Sequence, residues 1–515
     1  MSFRDCELAI MRSQSDKAQT KISNRVVTSK DIDNIIQIVE DFLKTKKLIC
    51  YGGTAINNIL PKEAQFYNKE TEIADYDFFT TTAMDHAKEL ADIFIDNGFI
   101  DVEAKAGQHF GTYKVFVNFI PVADITQIPR ELFNALKNEA IIVSGILYPP
   151  PNFLRMSMYL ELSRPAGDTS RWEKVLKRIT LLNKYYPMTV INCDGVEFQR
   201  KLSVGVSDNS HAIFKSVKET LISEKVVFIG GFAMRFYSKY MPRKNKHQLK
   251  TADFDVISRD PKATAATIVR RLTIDGVEKI KVVAHKSVGE TVPMHYEIII
   301  GGDTVAFIYK SIACHSYNAI KVGRHTIRVG TIDTMLSFYL AFLYTNRPYF
   351  NEFSDRIMCM SKYLFDVQQK NRLSQKGVLK RFSINCYGRQ LSVEDMRAEK
   401  SRKYRELSRD KKSTSYQERF LNYKPGEKLH VVQSPPGTDT SSVAKSSTVL
   451  SSSSVASTQP TATSKTKKAK KTKTKTKKTR TKTKKVKAKT KTKKTRTKTK
   501  KTKPKKSKTK TVKLK

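Results

Sequence analysis

Long apolar runs are missing from this chain: nothing approaches the roughly 18–20 consecutive apolar residues that a membrane span requires. The first residues, Met1 to Cys6, also lack the apolar core of a signal peptide. The expectation is a soluble intracellular protein, or one packaged inside a particle, with no secretion signal and no transmembrane segment. Cysteine is sparse. The six present (Cys6, Cys50, Cys193, Cys314, Cys359 and Cys386) include no C-x-x-C pair and no metal-ligand spacing. That excludes a zinc ribbon and a disulfide-dense secreted scaffold, and the six read as reduced thiols of a cytosol-like compartment. Acid is scarce too. Asp and Glu number 49 against 95 Lys and Arg, a net charge of +46. Part of that excess is local, because Lys465 to Lys515 holds 29 basic residues and no acidic one. Subtracting 29 from 46 leaves a body of +17, still basic enough to favour polyanions, with nucleic acid first among them. A membrane surface is the weaker partner, since no basic amphipathic helix with a strong apolar face is evident.

What the chain does contain is organised around residues 51–80. A short apolar strand over 48–51 runs into Gly52-Gly53-Thr54, which opens a helix stopped by Pro61. A polar loop follows, then a strand over 73–80 carrying Asp75 and Asp77. A diglycine turn at a helix start can cradle a triphosphate on backbone N–H groups. Carboxylates at i and i+2 of a strand point to one face, where they can hold divalent metal against those phosphates. Upstream, Ile32, Ile35, Ile36, Val39, Phe42 and Leu43 recur at helical spacing. Downstream, Thr82 is expected to cap a helix that ends before Gly98. Strands over 101–106, 112–119 and 122–126 come next, the last carrying Asp124. Helices are expected over 130–140, 152–163 and 169–185; the third holds the only tryptophan, Trp172, among Arg171, Lys174, Lys177 and Arg178.

Then the pattern repeats. A helix over 213–222 and a strand over 226–229 lead into Gly230-Gly231-Phe232, and Asp253-Phe254-Asp255 follows. In each copy 22 residues separate the second glycine from the first aspartate. The copies part where chemistry would be tested. Pro121-Val-Ala-Asp-Ile of the first corresponds to Thr304-Val-Ala-Phe-Ile of the second, so Asp124 lines up with Phe307, and Thr54 with Phe232. A phenylalanine neither ligates metal nor accepts a proton. The second copy therefore reads as a structural relic or an RNA-binding surface. Helices over 331–344 and 351–369 complete it, a dense mixture of charges follows over 397–412, and after Pro435 the Ser/Thr and Lys-Thr composition predicts disorder. That tail offers many phosphate contacts without sequence preference.

Asp75, Asp77 and Asp124 form a carboxylate set suited to nucleotide transfer. Two magnesium or manganese ions held there would activate an attacking hydroxyl and clamp a triphosphate. Gly52, Gly53 and Thr54 would contact the phosphates.

Four stretches give the chain a family likeness: Tyr51-Gly-Gly-Thr-Ala-Ile-Asn, Asp75-Tyr-Asp-Phe-Phe, Val122-Ala-Asp-Ile-Thr, and Leu162-Ser-Arg-Pro-Ala-Gly-Asp-Thr-Ser-Arg-Trp-Glu-Lys-Val. With these it resembles the poly(A) polymerase catalytic subunit of large DNA viruses, in the form found in mimivirus-like giant viruses and distantly in poxviruses. The likeness covers roughly residues 30–345 and not the tail. It implies template-independent addition of AMP from ATP to mRNA 3′ ends with magnesium or manganese, in the host cytoplasm at the viral factory or in the virion. It also makes Arg171, Trp172 and Lys174 nucleotide or RNA contacts. Poxvirus relatives use a separate processivity subunit. None is evident here, and the basic body and tail would hold RNA unaided or as a homodimer.

The expected fold is α+β: an N-terminal segment (1–28), a catalytic nucleotidyltransferase-like domain with a helical extension linking it onward (29–190), a degenerate copy (191–375), a charged segment (376–434) and the tail (435–515). Two other readings stay open: a terminal transferase adding UMP or CMP or modifying a small molecule, and a scaffold with both domains dead.

Overall fold

A computed structural model of the chain describes residues 30–67, 76–189, 192–198, 200, 210–240 and 253–425, with three isolated positions at 10, 11 and 14. Most of the N-terminal segment, Asp75 and the Lys/Thr tail lie outside the described residues.

Seven strands build the first sheet: β1 (Ile49–Tyr51), β2 (Tyr76–Thr80), β3 (Val102–Ala106), β4 (Thr112–Val117), β5 (Ile120–Gln127), β6 (Ile141–Val143) and β7 (Ile146–Tyr148). Alternation sets their faces: along β4, Tyr113, Val115 and Val117 are buried while the residues between them are not. Onto the buried face pack the helix Lys30–Lys46, through Ile35, Val39, Phe42 and Leu43, and the helix Ala83–Asp96, through Ala87, Leu90, Ala91 and Phe94. The second helix stops as expected, with Gly98 at φ +88° and the Phe99 N–H donating back to the Phe94 carbonyl at 3.1 Å. Its start differs from expectation. Thr82 makes no side-chain cap; the Thr80 hydroxyl accepts the Thr82 N–H instead, at 3.2 Å. The hairpin β6–β7 was not foreseen, because both strands are short and lie between helices. Ser144 (φ +50°) and Gly145 (φ +82°) form its two-residue turn, and β7 pairs in parallel with β1.

The second sheet repeats the first, strand for strand. It contains β8 (Val227–Phe228), β9 (Phe254–Ser258), β10 (Ile280–His285), β11 (His295–Ile300), β12 (Asp303–Lys310), β13 (His315–Val322) and β14 (His325–Gly330). The orders are β3-β4-β5-β2-β1-β7-β6 and β10-β11-β12-β9-β8-β14-β13. In both, the third pair in sequence of order (β5 with β2, β12 with β9) is parallel, as is the fifth (β1 with β7, β8 with β14), and the other pairs are antiparallel. Even the register shift recurs, at Val115/Phe116 in β4 and at Ile298/Ile299 in β11. Two mixed sheets flanked by helices bear out the expected fold class.

A helical layer joins the copies. The helix Pro151–Leu162 lies against the helix Ile332–Phe342, every residue of which is buried. Phe153 meets Tyr344 edge-on at 5.4 Å, and the Tyr159 hydroxyl donates to Gln368 at 3.2 Å. Arg155 is buried in this layer and donates from Nε to Asn183 at 2.7 Å and from its terminal nitrogens to Asn152 and the Tyr186 carbonyl. A buried charge held by three acceptors is tolerable where a lone one is not.

One expectation is corrected. Four of the six cysteines are not thiols: Cys193 pairs with Cys359 and Cys314 with Cys386, with Cα–Cα distances of 5.7 and 5.1 Å. Partners 166 and 72 residues apart leave no local motif to read. In the charged segment after residue 376 the helix Val393–Leu407 has no buried residue, and the chain then returns to the first sheet. There β16 (Asn422–Tyr423) pairs with β3, the Ala106 N–H donates to the Leu421 carbonyl at 2.9 Å, and the Tyr423 hydroxyl donates to Asp92 at 2.6 Å. The short β15 (Cys386–Tyr387) covers the edge of the second sheet at β13. No helix among the described residues is long and apolar enough to cross a membrane.

Candidate active site

The site forms where β1 ends beside β2 and β5. β2 and β5 run parallel with Asp77 directly opposite Asp124, so the two carboxylates share one face of the sheet, both half-buried. Across β5 the next residue in that row is Lys114, whose ammonium donates to Asp124 Oδ1 at 2.7 Å and also to Oδ2. Lys105 of β3 follows, opposite Lys114. A row of Lys105, Lys114, Asp124 and Asp77 thus crosses four strands, and the cation already resting on Asp124 shows which charge the carboxylates attract.

Tyr51 stands opposite Asp77 on β1. Its ring stacks on Phe79 at 3.7 Å and its hydroxyl hydrogen-bonds Thr126 at 3.0 Å. Burial, and then the Asp77 charge, push its phenol well above the usual range, so it stays neutral. The chain then turns through Gly52 at φ +75° into the helix Gly52–Ile59. Glycine is required there twice over: the backbone is left-handed, and a Cβ would lie 2.5 Å from Asp77 Oδ2. Closeness of that order brings the helix N-terminus, with its unpaired N–H groups, next to the carboxylates. Thr54, expected to offer a hydroxyl to phosphate, is a buried residue of this helix's first turn.

Beyond the helix, Asn57 is buried and accepts the N–H groups of Phe66 and Tyr67 at 2.8 and 2.9 Å, which folds the loop back over the diglycine. Arg178 reaches the same place from the helix Trp172–Tyr185. It donates to the Tyr67 hydroxyl at 2.5 Å, its guanidinium lies 5.0 Å from the Phe66 ring centre, and a Cβ on Gly53 would fall 2.8 Å from both terminal nitrogens. Arg178 is the residue that the reading of the sequence passed over. A signal existed, since Arg171, Lys174 and Arg178 fall on one helical face. Of the residues that reading did name, Arg171 pairs with Glu161 at 3.1 Å. Trp172 donates to the Glu161 carbonyl at 3.2 Å and packs 5.8 Å from Phe382, so both brace the preceding helix. Lys174 is exposed.

Among the described residues no group of three or more His, Cys, Asp or Glu side chains could hold a metal ion. Asp75, the third carboxylate of the expected set, lies outside them. The described pair still suits a hard divalent cation: its donors are carboxylate oxygens, and its neighbours are a lysine ammonium and a glycine backbone.

The second copy supplies the contrast. Asp255 on β9 lies opposite Phe307 on β12, which places phenylalanine where the first copy has Asp124, as the two sequences aligned. Arg200 fills the space in front of its aspartates. Its Nε lies 2.7 Å from Asp253 Oδ2, a terminal nitrogen donates to Asp255 at 3.3 Å, and the guanidinium sits 4.7 Å from the Phe307 ring centre. The whole cluster is buried, and burial raises the Asp255 carboxyl above its ordinary range even with Arg200 opposing the shift. Here an arginine takes the position that cations would take in the first copy.

Comparison with known proteins agrees with this division. Residues 37–168 match the family model of the poly(A) polymerase catalytic subunit, which is confined to the first copy and the start of the helical layer. A protein named poly(A) polymerase catalytic subunit in African swine fever virus is 30% identical over 193 residues, 36% of this chain and 39% of that protein. The protein of the same name in Acanthamoeba polyphaga mimivirus is 27% identical over 236 residues, 44% of this chain and 38% of that protein. The alignments therefore span about two fifths of the relatives' own length. The crystal structure of the Megavirus polyadenylate synthase superposes with a TM-score of 0.68 at 21% identity, covering 84% of this chain and 88% of that one. The chain thus shares its first domain's sequence with the viral poly(A) polymerase catalytic subunits and its two-sheet fold with a viral polyadenylate synthase.

Proposed function

We propose that the chain is a template-independent poly(A) polymerase, a polynucleotide adenylyltransferase that adds AMP from ATP to RNA 3′ ends, mRNA among them. The observation that carries this reading is the Asp77–Asp124 register beside Gly52, in the one copy that the family model matches. Asp75, Asp77 and Asp124 would hold a pair of magnesium or manganese ions. When bound, such ions lower the pKa of an attacking hydroxyl and neutralise the triphosphate and departing pyrophosphate.

The chain's own groups account for the rest. The N–H groups at Gly52 and Gly53 and the Arg178 guanidinium converge from two sides, as a triphosphate requires. Asn57 and Tyr67 hold Arg178 and its loop in place. Lys114 orients Asp124, and Lys105, itself paired with Glu103, stands beside it on the face toward β16, where an RNA backbone would leave the site. Thr54, Arg171, Trp172 and Lys174 belong to the same nucleotide-binding reading, with Arg171 and Trp172 acting through the helix they brace. The +46 charge supports RNA held without a separate processivity subunit, by a monomer or a homodimer.

The test is an extension assay with the full chain, an oligoribonucleotide, magnesium and each NTP separately. ATP alone should give a 3′ ladder, lost in Asp77→Ala and Asp124→Ala and retained in Asp255→Ala. Equal extension with UTP or CTP would replace adenylyl transfer by another terminal transfer. No extension with any NTP would leave an RNA-binding scaffold.

A further inference from the structure

The second copy has lost its carboxylate chemistry, but it has gained a cavity of about 380 Å³, within the range of small-ligand sites. The cavity lies between the helix Ser210–Ser223, the turn after Gly231 and the hairpin β13–β14, with Phe214, Phe232 and Phe236 as its aromatic wall. Phe214 is fixed by stacking on Phe254 at 5.2 Å, and Phe232 meets Phe236 edge-on at 5.8 Å. Basic side chains stand around the opening: Lys218, whose ammonium lies 5.3 Å from the Phe214 ring centre, lines it with Arg235 and His325, and Lys321 and Arg324 lie on the same hairpin tip. Among the described residues none of these five forms an ion pair with a carboxylate.

The first copy is an internal control. Its corresponding residues lie 178 positions earlier, the offset between Asp77 and Asp255. Lys218 corresponds to Glu40, which accepts from the Tyr76 hydroxyl at 2.7 Å and pairs with Lys44 at 3.4 Å. Phe236 corresponds to Asn58, which donates to the Tyr148 hydroxyl of β7 at 2.9 Å. Phe214 and Phe232 correspond to Ile36 and Thr54. In the first copy these positions knit helix, hairpin and sheet together, and Gly145 at the hairpin tip comes so close that a Cβ there would lie 3.5 Å from Lys44. In the second copy Glu40 has become the cation Lys218, Lys44 the aliphatic Ile222, and Asn58 and Tyr76 the rings of Phe236 and Phe254, and strands of eight and six residues replace two of three, carrying the hairpin past the helix. An acidic, hydrogen-bonded seam has become an aromatic cleft with a basic mouth.

We propose that this cleft binds single-stranded RNA, one base entering against Phe214 and Phe236 while flanking phosphates meet Lys218 and Arg235. An aromatic wall beside cations that have no carboxylate partner is what a nucleotide within a strand requires: a π-surface for the base, which would displace the Lys218 ammonium from the Phe214 ring, and positive charge for the backbone on either side. The proposal rests on RNA being the acceptor of the reaction at Asp77, and it makes the degenerate copy a second grip on the strand that the first copy extends.

Fluorescence anisotropy with a labelled 20-nucleotide oligoadenylate, without NTP, tests it on the full chain. Lys218→Gln with Arg235→Gln should weaken binding about tenfold and reduce the salt slope by about 1.4, as expected for two lost phosphate contacts on a single strand. Phe214→Leu with Phe236→Leu keeps the apolar volume but not the rings, and should weaken binding about tenfold with the salt slope unchanged. Circular dichroism melts check that both variants fold. Each should still add the first AMP at the wild-type rate at saturating primer, and should make shorter products when primer is limiting. Wild-type affinity and slope in both variants overturn the proposal even while the enzyme extends RNA. Displacement of the oligonucleotide by ATP alone, lost with the ring variant, assigns the cleft to free nucleotide and overturns it as well. A wild-type chain that neither binds nor extends RNA overturns the functional reading itself, which the first two results would leave standing.

Discussion

Replacing Arg200 by methionine tests whether the second copy is held together by the arginine in front of its paired aspartates. The substitution keeps the apolar stem and removes the guanidinium from between Asp253 and Asp255, whose side chains are 4% and 14% exposed. Breaking a buried ion pair by deleting one partner costs about 3–5 kcal/mol, because the remaining charge has neither water nor counter-ion. Two carboxylates lose their ion-pair partner here and keep only the charge of Arg356 nearby, so the loss should fall in the upper half of that range. At about 2–4 °C per kcal/mol for a domain of this size, the melting temperature should drop by about 8–20 °C. The pH dependence gives a sharper test. Asp255 already has its carboxyl pKa raised by burial, against the pull of Arg200, and removing Arg200 raises it further. A carboxyl raised in the folded state contributes fully below its unfolded value of about 3.8, and that contribution is lost as pH rises through the folded value. The deficit of Arg200→Met should therefore be largest at pH 7 and shrink toward pH 5. Adding Asp253→Asn and Asp255→Asn should restore most of the stability. Urea melts of the full chain at the two pH values measure this. An unchanged midpoint, or a deficit that grows on acidification, would refute the charge-plug account.

Gly52→Ala should abolish extension and lower stability by about 1–3 kcal/mol, because it forces a left-handed backbone onto alanine and pushes a methyl into Asp77. Gly98→Ala, also left-handed at φ +88° but with open space around it, should cost only about 1 kcal/mol and leave the rate unchanged, so parallel melts and extension assays on the pair isolate the collision. Arg178→Ala should raise KM for ATP about tenfold or more, the worth of a charge-assisted bond to phosphate, while Arg171→Ala, already paired with Glu161, should change it less. Steady-state kinetics with varied ATP decides between them, and equal effects would make Arg171 the direct contact.

The site was legible where chemistry is written in short spacings. Gly52-Gly53 and Asp77 stand where period and spacing put them, and the correspondence of Asp124 with Phe307 could be read by laying the copies side by side; strand register now gives the same pairing. Contacts made across long stretches of sequence were not legible. Arg200 precedes Asp253 by 53 residues in a segment with no periodicity, so nothing local announces that it plugs a site. The disulfides are the same case, with partners far apart and no motif. β6 and β7 are a different failure: Val143-Ser144-Gly145-Ile146 carries a hairpin signal, but strands of three residues were outweighed by the helices on either side.

The duplication explains why the legible part suffices to choose between the copies. Both sheets have the same order, directions and register shift, so the fold alone does not set the two copies apart. What distinguishes them is one row of side chains across four strands. The first copy reads Lys105, Lys114, Asp124, Asp77; the second reads Val283, Glu297, Phe307, Asp255. In the first row Lys114 rests on Asp124 beside Asp77, and Lys105 next to it pairs with Glu103. In the second row an acid lies beyond a ring, and the remaining aspartate leans on an arginine supplied from elsewhere in the chain. With Phe307 opposite Asp255, the charge of Asp253 and Asp255 is met by Arg200, where the first copy sets Lys114 against Asp124.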